Sequence, residues 1–308
     1  MFNLEFLLTR KCNQNCYYCN NSTYCNNQVE VDLDYFKHIL DLYYKLGVKD
    51  IRLELSGGEP GIISNIDKLI ELCNNLSYIK KIFILSNGIL RKRFNNIQNF
   101  IGKKFDGYHE HTALDINDKN ILYFDKNITF FNSDKYMLHV LVLNEVTLDS
   151  LLNNFNYFVE SGLFNRNIDF KLLTPKVEPV STVILNKTKV FYEKLFNIKN
   201  LTKDTFSYAL KNYSYIDRPS NSSQINICSR ISVFQFIDLD NKKIGQCSMQ
   251  VEQSQKYDVS EENIERALQG DLFTPNDFCK NCVKYSDLSR NYFLRKVRRK
   301  IYSNIMIG

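Results

Sequence analysis

The sequence predicts an α/β protein built on parallel strands, and three observations carry that prediction. Short apolar runs alternate with amphipathic runs over residues 1–175, as βαβ units require. Hydrophobic residues make up 44 % and charged residues 24 % of the chain, which suits a folded globular protein and argues against a disordered, collagenous or coiled-coil one. Two predicted strands alternate strictly. In the first, Ile51, Leu53 and Leu55 alternate with Arg52, Glu54 and Ser56; in the second, Ile168, Phe170 and Leu172 alternate with Asp169 and Lys171. Buried parallel strands usually read as continuous apolar runs. One face of each strand should therefore lie under helices while the other lines a polar interior. A barrel whose lumen holds a polar ligand accounts for this, with a solvated edge strand as the alternative. The six strands fit a partial barrel or an open sheet, and periodicity does not choose between them.

The elements follow in order. Residues 3–9 read as a strand, and residues 33–46 as a helix stopped by Gly47. Further strands are predicted over 51–55, 82–85, 107–114, 137–143 and 168–173, with helices near 66–74, 91–101 and 148–162 between several of them. Beyond Pro175 the chain turns helical and polar over 176–225, most clearly at 189–198. Residues 232–239 and 243–247 flank Asp240-Asn241-Lys242 and read as a hairpin. Residues 288–307 read as a basic helix with Leu294, Val297, Ile301 and Ile305 on one face.

The 308 residues suggest one or two domains, at about 150 residues each. The net charge is +6, and the six cations after Asp287 account for all of it. Such a tail can meet nucleic acid or anionic lipid, or dock its apolar stripe on the protein; the docked form is the expectation. No apolar run approaches the ~18 residues of a membrane span. No basic segment opens the chain, so neither a signal peptide nor a membrane span is expected. P-loop and dinucleotide signatures are absent, which sets aside nucleotide hydrolysis and nicotinamide chemistry.

Nine cysteines, odd in number and clustered toward two ends, match a secreted disulfide scaffold poorly. Metal or cluster ligation in a reducing, cytoplasmic compartment is expected instead. Cys12, Cys16 and Cys19 form C-x3-C-x2-C directly after the first strand. Three thiolates can hold three corners of a cuboidal iron–sulfur cluster and leave the fourth iron open. A zinc loop that adds Cys25 is the alternative. Gly57-Gly58-Glu59-Pro60 follows the second predicted strand; its glycines allow a ligand close to the backbone, and its Glu can accept from an ammonium. Ser86-Asn87-Gly88 ends the third. Each motif alone could be an ordinary turn, but the C-terminal ends of successive strands are where α/β active sites gather.

In these three motifs, over roughly residues 1–175, the sequence resembles the radical SAM superfamily. The resemblance implies a partial (β/α)6 barrel and a [4Fe–4S] cluster on Cys12, Cys16 and Cys19, with S-adenosylmethionine chelating the open iron. It places Tyr18 against adenine, Gly57, Gly58, Glu59 and Pro60 at the methionine amino group, and Ser86 with Asn87 near the methionine or ribose. Glu54, Asp169 and Lys171 are lumen candidates for cofactor or substrate contacts. Cys25 is either a hydrogen-atom donor or a bystander thiol. Tyr108-His109 resembles a Tyr-His-Pro element, but Glu110 replaces the proline and no role is carried over. His139 reads equally well as a core histidine. Cys73, with Ile66, Leu69 and Ile70 at helical spacing, reads as core.

Cys228, Cys247, Cys279 and Cys282 form a second set that could close a cluster or bind zinc. Beside the first set they resemble a twitch domain, the shortened relative of the SPASM domain, which implies an auxiliary [4Fe–4S] cluster. The sequence Lys243-Ile-Gly-Gln-Cys247 departs from the usual Gly-x-Val-x-Pro-Cys. The resemblance thus divides the chain into a barrel core over 1–200, an auxiliary-cluster domain of hairpin and helix over 201–287, and a basic helix over 288–308. It implies an oxidoreductase-type enzyme served by a low-potential electron donor such as flavodoxin or ferredoxin. Its substrate would be a ribosomally made peptide that is oxidised, cross-linked or epimerised, or alternatively a small alcohol or sugar. No leader-binding domain is expected before the first strand. A non-catalytic zinc or nucleic-acid-binding protein is the reading from another class; it leaves Gly-Gly-Glu-Pro and the charged strand faces unexplained, and nucleic acid is not an expected partner.

Overall fold

The computed structural model describes residues 1–16, 19, 23–113, 135–142, 145–172, 182–216, 234–245 and 256–273. Tyr18, Cys228, Cys247, Cys279, Cys282 and the basic tail lie outside the described residues, and of Lys171 only the backbone is described. The chain divides into two compact units, residues 1–106 with 221–308, and residues 107–220. No described helix is long and apolar enough to cross a membrane.

The first unit is a sheet whose central strands are parallel. Strand β1 (Phe2–Leu7) lies between β4 (Ile51–Ser56) and β9 (Phe234–Asp238), and β5 (Ile79–Ser86) follows β4. Beyond β9 the chain turns back antiparallel into β10 (Lys243–Gly245), which β11 (Lys256–Asp258) flanks. The predicted hairpin is present. Lys242 takes the left-handed conformation at its turn, φ 53°, and β9 joins the same sheet as β1. Strand β4 is flanked on both sides, so its alternation does not mark an edge. Its apolar residues Ile51, Leu53 and Leu55 are buried. Its polar face is charge-paired: Arg52 Nε donates to Asp106 at 2.5 Å, Lys81 Nζ lies 2.7 Å from the same carboxylate, and Glu54 sits 3.7 Å from Arg52.

Helix α1 (Leu33–Lys45) starts at Asp32, whose side chain accepts from the Tyr35 amide, and presses Phe36, Ile39, Leu40 and Tyr43 into the core. It ends as predicted at Gly47, φ 90°. Helix α2 (Ile66–Asn75) buries Ile66, Leu69, Ile70 and Cys73 at the spacing read from the sequence. The helix predicted over 91–101 is two helices, α3 (Ile89–Arg93) and α4 (Ile97–Ile101). Phe94 is extended, and the Asn96 side chain caps the second helix through the Asn99 amide. A polar side chain that competes for backbone amides ends one helix and starts the next.

In the second unit β6 (Phe105–Ala113, entering from the first), β7 (Tyr136–Val142) and β8 (Ile168–Leu172) pair in parallel. Helices α5 (Glu145–Asn153), α6 (Phe155–Glu160), α7 (Thr182–Phe196) and α8 (Lys203–Ile216) accompany them; α5 and α6 divide the predicted 148–162 helix at Asn154. Leu138, Val140, Val142, Ile168 and Phe170 pack against Leu148, Leu151, Phe164, Phe191 and Leu195. The opposite face carries the register row His111, His139 and Asp169, with His109 two residues before His111 on the same side of β6. Helix α9 (Glu261–Gln269), capped by Ser260 and stopped at Gly270, belongs to the first unit and is not among the elements predicted from the sequence.

The packing yields two testable outcomes. Asp238 is fully buried and accepts from Arg10 Nη2 at 2.7 Å and Asn241 Nδ2 at 2.9 Å, tying the end of β1 to β9. Asp238→Ala removes the buried acceptor that Arg10 and Asn241 share, and the expected loss is about 3 kcal/mol. It would appear as a lower urea midpoint at unchanged slope. Burial pushes the Cys73 thiol up to about 12, against the opposing charge of Lys104. Iodoacetamide at pH 8 should therefore label Cys73 only after unfolding, as read by mass spectrometry.

Candidate functional site

The C-terminal ends of β1, β4 and β5 meet around one carboxylate. Glu59 is fully buried. Its Oε1 accepts from Ser86 Oγ at 2.8 Å and the Gly61 amide at 2.7 Å, and its Oε2 accepts from the Asn87 amide at 2.6 Å. A buried carboxylate is tolerated only when its oxygens are hydrogen-bonded. Asn87 extends the set: its Nδ2 donates to Asn13 Oδ1 at 2.9 Å and contacts Cys12 Sγ at 3.6 Å. Glu59, Ser86, Asn87 and Cys12 are thus brought together, as the three motifs predict. Asn13 is an addition that no motif marked. Arg93 supports the same corner through the carbonyls of Gly61, Ile63 and Ser64.

The glycines admit the chain's own backbone. A Cβ on Gly57, φ +143°, would lie 2.5 Å from the Thr9 carbonyl oxygen, and one on Gly58 would lie 2.0 Å from that of Lys11. The Gly58 amide donates to Thr9 O at 2.6 Å and the Glu59 amide to Lys11 O at 3.0 Å. The close approach is made by the start of the cysteine loop itself. Gly61 is equally restricted, since its Cβ would lie 2.2 Å from Ile89 Cγ2.

The cysteine loop is closed at its base by a two-stranded parallel ribbon, β2 (Lys11–Cys12) with β3 (Thr23–Tyr24). The Cys25 amide donates to the Cys12 carbonyl at 2.8 Å, while the Cys25 thiol donates to Asn27 O at 3.4 Å. Burial pushes the Cys12 thiol up, and the negative neighbours Glu59, Cys16 and Cys19 add to this against the Gln14 amide. Cys16 Sγ contacts Gln14 Oε1 at 3.6 Å, and the Cys19 amide closes a turn on the Cys16 carbonyl. Among the described residues no group of three or more His, Cys, Asp or Glu is placed to hold a metal ion. The donor set, three thiols on one loop with its base fixed, is chemically that of a thiolate-bound cluster. Beside the loop opens a cleft of about 430 Å³ whose wall includes Asn13, Asn27, Ile62, Ile89, Lys92 and Arg93.

Farther down the same sheet, Glu5 accepts from Ser56 Oγ at 2.8 Å, and Glu54 stands in register with Glu5. Burial raises the Asp106 carboxyl, but hydrogen bonds from Lys81 and Arg52 outweigh it and hold the group below its ordinary value. Glu54 therefore belongs to a paired charge network. The backbone of Lys171 pairs with Leu141 on β7.

Residues 6–110 match the model of the Radical SAM superfamily, and the chain carries a domain of that superfamily. A GTP 3′,8-cyclase of Clostridium perfringens is 27 % identical over 181 residues, covering 54 % of each chain. One of Staphylococcus saprophyticus is 24 % identical over 251 residues, covering 74 % of this chain and 71 % of its own. At 54 %, the chain spans about half the length of the first of these curated relatives. The solved structure of a hexahistidine-tagged anSMEcpe with bound AdoMet covers 100 % of this chain and 98 % of its own at a TM-score of 0.55 and 14 % identity. That likeness shows the fold alone, the α/β class with a mostly parallel sheet that the sequence predicted.

Glu59→Gln keeps the shape of the carboxylate but turns an acceptor into a donor facing hydrogen-bond donors. We expect a loss of about 2 kcal/mol in urea unfolding, larger than for Glu30→Gln on the surface.

Proposed function

We propose that this chain, on the strength of its radical SAM domain over residues 6–110, is an enzyme that reductively cleaves S-adenosylmethionine and takes a hydrogen atom from a substrate carbon. A domain of this superfamily implies a [4Fe–4S] cluster and S-adenosylmethionine; when bound, they supply the 5′-deoxyadenosyl radical. The observation that carries the reading is the Glu59 carboxylate, which gathers Ser86, Asn87 and, through Asn87, Cys12. In this reading Cys12, Cys16 and Cys19 hold the cluster, and Tyr18 meets the adenine. The side chain of Glu59 is engaged in holding the loops, so the backbone of the Gly57–Pro60 segment would bind the methionine amino group. Ser86 and Asn87 orient the methionine end. The protein's part is binding, orientation and exclusion of water.

The finer assignments are proposals of the same kind. Cys228, Cys247, Cys279 and Cys282 would hold a second cluster that accepts the substrate electron, which makes the net reaction an oxidation. Glu54, Lys171 and Cys25 are the candidate substrate contacts. The substrate is a ribosomally made peptide, with a small alcohol or sugar as the alternative, and a flavodoxin or ferredoxin delivers the first electron. A second reading follows from the relatives named GTP 3′,8-cyclase: a nucleoside triphosphate substrate.

The test uses anaerobically reconstituted full-length protein. Iron at about eight per chain and 5′-deoxyadenosine formed with dithionite and S-adenosylmethionine would support the two-cluster reading. Replacing Cys12, Cys16 and Cys19 with Ala should leave about four iron and abolish cleavage. Stimulation of 5′-deoxyadenosine release by GTP would favour the nucleotide reading. Zinc in place of iron, with no cleavage, would overturn the radical reading and return attention to the cysteines as structural zinc sites.

A further inference from the structure

Three of the chain's four histidines stand on one face of the second unit. His139, on the central strand β7, is buried, and so is Asp169 on β8. His139 Nδ1 lies 2.9 Å from Asp169 Oδ2, and His139 Nε2 lies 2.6 Å from His109 Nδ1 on β6. His111 sets its ring edge-on to His139 at a centroid distance of 4.7 Å, and Tyr208 on α8 does so at 6.0 Å. Asp169, His109, His111 and Tyr208 are thus titratable groups that meet the His139 ring from β8, β6 and α8. Glu110, between the two β6 histidines in sequence, is engaged by Tyr108 Oη at 3.2 Å; strand alternation puts it on the opposite side of β6.

The acceptor end of this chain fixes its protons. An ionised carboxylate can only accept, so His139 carries its hydrogen on Nδ1 and has a lone pair at Nε2. His109 must then donate from Nδ1, which puts its own lone pair at Nε2. The His109 ring is partly exposed, whereas the other two members are buried. From this geometry we propose that Asp169, His139 and His109 form a proton relay whose accepting atom is His109 Nε2, serving a ligand that presents a hydroxyl or ammonium group. The proton leaves the ligand's O–H or N–H bond for His109 Nε2. The Nδ1 proton of His109 passes to His139 Nε2. The positive charge comes to rest on the His139 ring beside the Asp169 carboxylate, which stays ionised. No electron moves. His109 is the acceptor, and His139 and Asp169 are positioning residues that raise its basicity. The proposal stands on the second unit by itself and does not rest on the radical reading above.

The test is a pH titration of the histidine ring nitrogens in 15N-histidine-labelled full-length protein. The expected result is Nδ1–H tautomers for both His139 and His109, with one proton taken up by the pair in a single coupled step. Asp169→Asn should lower the proton affinity of that step about tenfold and leave His38 unchanged; His38 is an exposed histidine on α1. Diethyl pyrocarbonate, which acylates the unprotonated ring, should modify His109 with a rate-versus-pH midpoint, read by mass spectrometry, that moves down by about one pH unit in Asp169→Asn, while that of the His38 reference stays in place. An Nε2–H tautomer at His109, two independent steps, or a titration that Asp169→Asn does not move would each overturn the relay, as would a His109 that the reagent does not reach. Should Asp169→Asn fail to fold, the wild-type tautomers decide together with His109→Gln, which should leave His139 taking up its proton without coupling.

Discussion

The first unit depends on the need to satisfy one buried carboxylate. Glu59 cannot stay ionised away from water unless donors surround it, and the donors it recruits come from chain segments far apart in sequence. Gly61 is local, while Ser86 and Asn87 end the neighbouring strand of the sheet. Asn87 then reaches Asn13 and Cys12. Three loops that would otherwise move separately are held at a common point. The same arrangement explains why the flanking residues are glycines: the backbone of residues 9–11 lies where their Cβ atoms would be. The cysteine loop is thus packed directly on the Gly-Gly-Glu-Pro segment. Its position comes from backbone contact and one carboxylate.

Much of this is legible in the sequence for a definite reason. The alternation at 51–56 reports a strand with one charged face, and that face is polar because Arg52, Glu54, Lys81 and Asp106 pair there. The alternation at 168–172 does the same for β8, where Asp169 lies on the face that also carries His139. Cys73 can be assigned to the core because helical spacing is a local property. Helix stops at Gly47 and the turn at Asp240-Asn241-Lys242 are local too.

What escapes the sequence is non-local or competes with local signals. The pairing of β9 with β1 joins Asn3 to Phe234; no periodicity reports a partner so distant, and a hairpin looks the same whether it stands alone or extends a sheet. The ribbon that closes the cysteine loop has two residues on each side, too few to show a period. The splitting of the 91–101 helix depends on Asn96 choosing a backbone amide over solvent. Gly57 and Gly58 read as room for a ligand because a glycine's requirement can be seen in sequence, while the group that imposes it cannot.

The two polar faces also differ in what they can do. In the first unit the charges close on one another: Asp106 is held ionised by Arg52 and Lys81, and Glu59 is consumed in holding loops. Groups so occupied fix geometry, and moving a proton onto them would break the contacts that define the site. The line in the second unit is built differently. Imidazole is both donor and acceptor, so a row of two rings ending on a carboxylate has a direction: its acceptor end is buried at Asp169 and its other end is the partly exposed ring of His109. Such a row can take up a proton while both hydrogen bonds along it persist: the one between the rings exchanges donor and acceptor, and the one to Asp169 keeps its direction. Asp169 is bonded to a ring that can pass a proton on, whereas Glu59 is bonded to two backbone amides and a hydroxyl, which hold it in place.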